Sequence, residues 1–101
     1  METTNEKIKM IIIEKIKILL DMEDTREYDE KLKILVNGAI GTLKKAGVPF
    51  IESKNDYFDN YCICLAMEVA KMMDMDFNFE NLQRLYLTSV NILRTEFPNE
   101  N

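Results

Sequence analysis

Between Asp29 and Gly47 the chain reads DEKLKILVNGAIGTLKKAG, and the spacing of its apolar residues leaves little choice of structure. At about 100° per residue, Leu32, Leu35, Val36, Ala39, Ile40, Leu43 and Ala46 fall in one stripe, so the segment is expected to form an amphipathic helix. Ile34, Gly38 and Gly41 fall on the other side. A monomer needs only the first stripe, and a glycine inside a helix costs roughly 1 kcal/mol relative to alanine. Close approach by another helix is one expected role for the second side; tolerance in a solvated face is the alternative.

The rest of the chain is as thinly punctuated. Three glycines and two prolines in 101 residues, with no repeat or low-complexity tract, favour a few long helices over many short strands. From about Glu6 to Leu20, Ile8, Ile12, Ile16, Leu19 and Leu20 make a first stripe. Ile11, Ile12 and Ile13 together would also suit a strand, but no alternation outlasts the run. Ile11 and Ile18 lie off this stripe, with Lys7, Glu14 and Lys17 expected to cover what remains. The acidic stretch Asp21 to Glu30 links the first two helices. Asp29 is expected to cap the second, with Asp24 and Glu27 as the earlier capping pair, and Gly47 before Val48-Pro49 is a stop signal.

Ser53 or Asp56 is expected to cap a third helix in which Phe58, Tyr61, Cys62, Leu65, Val69, Met72 and Met73 share a face, while Ile63, Met67 and Ala70 point elsewhere. Asn78 offers a cap for a fourth helix ending before Pro98. Its inward stripe is Phe79, Leu82, Tyr86, Val90, Leu93 and Phe97, with Glu80, Arg84, Asn91 and Arg94 facing water. The expected fold class is all-α, a compact bundle of about four helices around one core. It forms a single helical domain over residues 1–101, with flexible termini at about 1–5 and 98–101. The apolar excess is expected on the first three helices, leaving the fourth chiefly to close the core.

Composition narrows the function. With 47% hydrophobic and 31% charged residues the chain is globular, and a net charge of -5 argues against sequence-independent binding of nucleic acid, which needs clustered Lys and Arg. Two cysteines, no signal peptide and no apolar run long enough for a bilayer point to a reducing cytoplasm. Cys62 and Cys64 cannot face one metal from a helix, since residues two apart diverge, and no histidine completes a site. They read as buried thiols.

Calcium loops starting at Asp21 or Asp74 fail at the required glycine and glutamate, where Arg26 and Leu32, or Phe79 and Leu85, stand. Gly38-Ala39-Ile40-Gly41 follows no strand and is not a phosphate loop. Met67, Met72 and Met73 are expected to fill the core. Lys7, Lys9, Lys15 and Lys17 are spread around the first helix, not gathered on a membrane-facing surface. No enzyme activity, cofactor, metal or membrane contact is expected.

The order of features resembles the bacteriophage head-tail connector family, the head-completion or DNA-packaging adaptor proteins often found in prophages. The matching parts begin with Lys17-Ile18-Leu19-Leu20-Asp21 closing a first helix, the acidic linker, and Asp29 leading into Leu32, Leu35, Val36 and Ala39. A Tyr-rich third helix from about Asp56-Tyr57 follows, and a last helix closes with Val90-Asn91-Ile92-Leu93-Arg94. They span about Lys7 to Thr95.

The resemblance implies a structural virion subunit, placed in the neck and in the host cytoplasm during assembly. It would form a homo-oligomeric ring under the portal protein, support the next connector or tail-completion protein, and let DNA pass without reading it. Ring contacts are heterologous and need two different patches. Ile11 with Ile18, and Ile34 with Gly38 and Gly41, are the candidate subunit interface. The alternative is a small soluble helical protein-binding or regulatory module using the same apolar excess.

Overall fold

The computed structural model describes residues 4–24, 26–73 and 80–97, and in them the chain forms four helices and no strand. These are α1 (Thr4–Leu19), α2 (Asp29–Lys45), α3 (Phe58–Met72) and α4 (Glu80–Glu96). The all-α expectation holds. The capping residue Asn78, the start of the α4 stripe at Phe79 and the acids Asp74 and Asp76 lie outside the described residues.

The first helix confirms the isoleucine stripe. Ile8, Ile12, Ile13, Ile16 and Leu20 are buried, while Ile11 stays outside the core, so the β-branched triplet is helical. Lys17 corrects the expectation that it faces water. Only 3% of it is exposed, and its Nζ donates to Asp29 Oδ1 at 3.0 Å. The physical reason is the path of the linker, which folds back and brings the α2 N-terminus onto the side of α1 that carries Lys17.

Two helix ends share one device. After α2, Gly47 takes φ 100°, the Val48 N–H donates to Leu43 O at 2.9 Å and the Gly47 N–H to Lys44 O at 3.1 Å. That is a Schellman closure, as the glycine implied. After α1 the same pattern recurs without glycine. Asp21 sits at φ 60°, the Met22 N–H donates to Lys17 O at 2.7 Å and the Asp21 N–H to Ile18 O at 3.2 Å.

The helix starts are where the capping expectations fail. At α2 the N-cap residue is Tyr28, with no side-chain cap; Asp29 is the first helical residue, and its carboxylate accepts from Lys17. At α3 neither Ser53 nor Asp56 caps. The N-cap residue is Tyr57, again without a side-chain cap, and Asn55 closes the turn before it, its Oδ1 accepting from the Tyr57 N–H at 2.8 Å and its carbonyl from the Phe58 N–H at 3.1 Å. An Asx turn at Asn55 thus leads into the helix.

The core is organised around α3, which packs on all three other helices. Besides its main stripe, Cys64, Ala66, Met67 and Ala70 are buried. A helix that is apolar nearly all round belongs in the middle of a bundle. This corrects the grouping of α3 with the outward-facing helices. The fully buried Leu32, Val36, Leu65, Val69 and Leu93 tie α2, α3 and α4 together, and truncating either buried Leu of α2 or α3 to alanine should cost about 3 kcal/mol. On α4, Leu82 and Leu93 are buried and Tyr86, Val90 and Phe97 half-buried, while Arg84, Asn91 and Arg94 face water.

Candidate functional site

The residues with most to explain are apolar ones left outside the core. Ile11, Ile18 and Ile34 are 41%, 63% and 72% exposed. On α1, Ile11 and Ile18 share the flank of Lys15, whose ammonium lies 2.8 Å from Asp59 Oδ1 and 5.7 Å from the centre of the Phe58 ring. That hydrogen bond to Asp59 raises the Lys15 pKa. Another flank of α1 meets α2 across an open groove of about 340 Å³, with Met10 and Ile13 facing Lys33 and Asn37. On α2, Ile34 points away from the buried Leu32 and Val36. The sequence-derived interface residues therefore form two separate patches, one per helix.

The two glycines differ. A Cβ at Gly38 would meet the Met72 methyl at 3.7 Å, an ordinary contact, and a Cβ at Gly41 would meet nothing within 4 Å. Packing within the subunit requires neither to be glycine. Met72, expected in the core, is 42% exposed and reaches out beside α2; Met73 is half-buried and Met67 buried.

Four exposed side chains were not singled out by the sequence reading. Leu85 and Leu87 on α4 are 46% and 56% exposed, Met10 is 52% and Tyr28 39%. The expectation that α4 carries little apolar excess is overturned, since Leu85 and Leu87 leave the Leu82-Tyr86-Leu93 stripe on opposite sides. Their positions relative to that stripe were the available signal.

Little in the structure offers reactivity. Cys62 and Cys64 are buried free thiols, and burial pushes their pKa values up to about 12 and about 11, away from the nucleophilic thiolate. The Tyr61 hydroxyl is buried with no hydrogen-bond partner among the described residues, and burial raises its pKa. At the α3–α4 contact the Tyr57 hydroxyl donates to Glu96 Oε1 at 2.6 Å, which raises its pKa, and Asn60 Nδ2 donates to Ser89 Oγ at 3.2 Å. Among the described residues no three His, Cys, Asp or Glu side chains converge to hold a metal ion, and no helix is long and apolar enough to cross a membrane.

Comparison with protein-family models, curated proteins and solved structures finds no match.

Proposed function

We propose that this chain is a structural subunit of a phage or prophage head-tail connector, assembling as a ring under the portal protein and serving head completion and DNA passage. The observation that carries the reading is the pair of exposed apolar patches, Ile11 with Ile18 on α1 and Ile34 on α2. A subunit in a ring needs two unlike surfaces, because each copy meets one neighbour with each.

The net charge of -5 suits a conduit, which gains from holding phosphates weakly. The next connector or tail-completion protein would stand on the ring, in the virion neck. Native mass measurement and electron microscopy test this, on the protein alone and with the portal protein encoded beside it. Rings of many copies are expected in at least one of the two. A monomer or closed dimer in both would overturn the reading and leave a helical binding or regulatory module in its place. Portal, protease and major capsid genes just upstream are the expected genomic setting.

A further inference from the structure

We propose that neighbouring copies of this chain meet head to tail, with Lys31, Ile34 and Lys45 of one copy seated on Ile18, Glu23 and Glu27 of the next. The pairing deepens the connector reading and rests on it for the closure of a ring. The first surface is the outer face of α2. Lys31, Ile34, Gly38, Gly41 and Lys45 recur three and four residues apart, so they form one line along the helix, and all five are exposed. From Lys31 to Gly47 there are four lysines and no acid. Among the described residues neither Lys31 nor Lys45 has an ion-pair partner, and Ile34 between them is the most exposed large hydrophobic side chain.

The second surface is the turn between α1 and α2. Asp21, Glu23, Asp24 and Glu27 stand there with Arg26 as the one cation, and the exposed Ile18 and Tyr28 flank them. Both ends of the turn are anchored, by the Schellman closure at Asp21 and by the Lys17–Asp29 ion pair. The outer face of α2 is thus mostly basic around Ile34, with Glu30 as the acid beside it, and the turn is mostly acidic with Arg26 as its cation, so the prevailing signs are opposite. Two basic faces repel each other, as do two acidic turns, so like-with-like pairing is disfavoured and face-on-turn pairing favoured. The glycines at 38 and 41 let the turn of the next copy approach the α2 backbone.

Charge reversal tests the pairing, read by sedimentation in about 50 mM salt, where surface charges are weakly screened. Lys31→Glu/Lys45→Glu makes both surfaces acidic, and Glu23→Lys/Glu27→Lys makes both basic. Each variant alone should associate at least about tenfold more weakly than the wild type. Mixing the two should restore assembly. A chain carrying all four changes keeps the net charge of -5 and should assemble as the wild type does. Circular dichroism checks that each variant is folded, as expected for exposed positions.

Wild-type-like assembly of both reversed variants would overturn this pairing while leaving the connector reading intact. Loss without rescue, by mixing or by the fourfold change, would overturn it as well. A wild type that stays monomeric at every concentration, with or without the portal protein, would overturn both. If reversal at Lys31 and Lys45 abolishes retention of duplex DNA and leaves sedimentation unchanged, the face serves DNA and the pairing is wrong.

Discussion

Asp21 holds a left-handed conformation at the end of α1, φ 60°, where the Schellman closure needs it. An L-residue is strained there, and a carboxylate next to a helix C-terminus meets the unfavourable end of the dipole. Asp21→Gly is therefore expected to stabilise the fold by about 0.5–1 kcal/mol, seen as a higher urea midpoint. The Lys17–Asp29 pair gives an asymmetric expectation. Asp29→Ala leaves a buried ammonium without its partner and should cost about 2 kcal/mol, less than for a wholly buried pair because Asp29 is half-exposed. Lys17→Met replaces the pair with an apolar chain of similar length and should fall within about 1 kcal/mol of the wild type. Equal losses in the two variants would show that the stem of Lys17, not its charge, holds the linker. Neither residue's role was legible in the sequence. Lys17 sits at a position that periodicity assigns to solvent, and its partner is 12 residues away, past a turn whose path local pattern does not determine.

At the scale of the helix, apolar spacing identified all four elements and the glycine stop of α2, because those signals are local. The starts of α2 and α3 differ from the expected caps, since several acids compete near each, with Ser53 beside the second, and backbone turns decide among them; both helices start at a tyrosine without a side-chain cap, α3 after an Asx turn at Asn55. Periodicity also finds the strongest face of a helix without saying how many faces are covered. That is why the Met67 and Ala70 side of α3 looked available and proved buried. On α2 the open space at Gly41 gives a sharp expectation. Gly41→Ala should stabilise the isolated subunit by about 1 kcal/mol, from helix propensity alone, and Gly38→Ala should have the same sign. Thermal unfolding of the dissociated protein measures this. A loss of stability at Gly41 would mean that the helix is constrained there by something other than a neighbouring copy, while a gain accompanied by weaker assembly would locate the need for glycine between subunits.

Taken whole, the molecule spans 39 × 39 × 22 Å, a slab in which α3 is shielded by its three companions. The sequence made the all-α class legible, but not which helix lies inside, because that depends on how four stripes share one core. The consequence for stability falls at alkaline pH. Burial raises the thiol pKa values of Cys62 and Cys64 from 9.0 to about 12 and about 11, and raises that of Tyr61 as well. In the unfolded chain the thiols release their protons near pH 9, whereas in the folded chain they keep them. Above that pH the unfolded state binds fewer protons, so stability is complete below pH 9 and declines as pH rises through 11 to 12. Each thiol contributes up to about 1.4 kcal/mol per pH unit within its window. Urea unfolding of the wild type should therefore lose more stability between about pH 8 and 10.5 than the Cys62→Ala/Cys64→Ala variant, even though the variant starts lower from lost packing. Parallel declines in the two proteins would mean that the thiols reach water in the folded state, and with it that α3 is not the sheltered centre of the bundle.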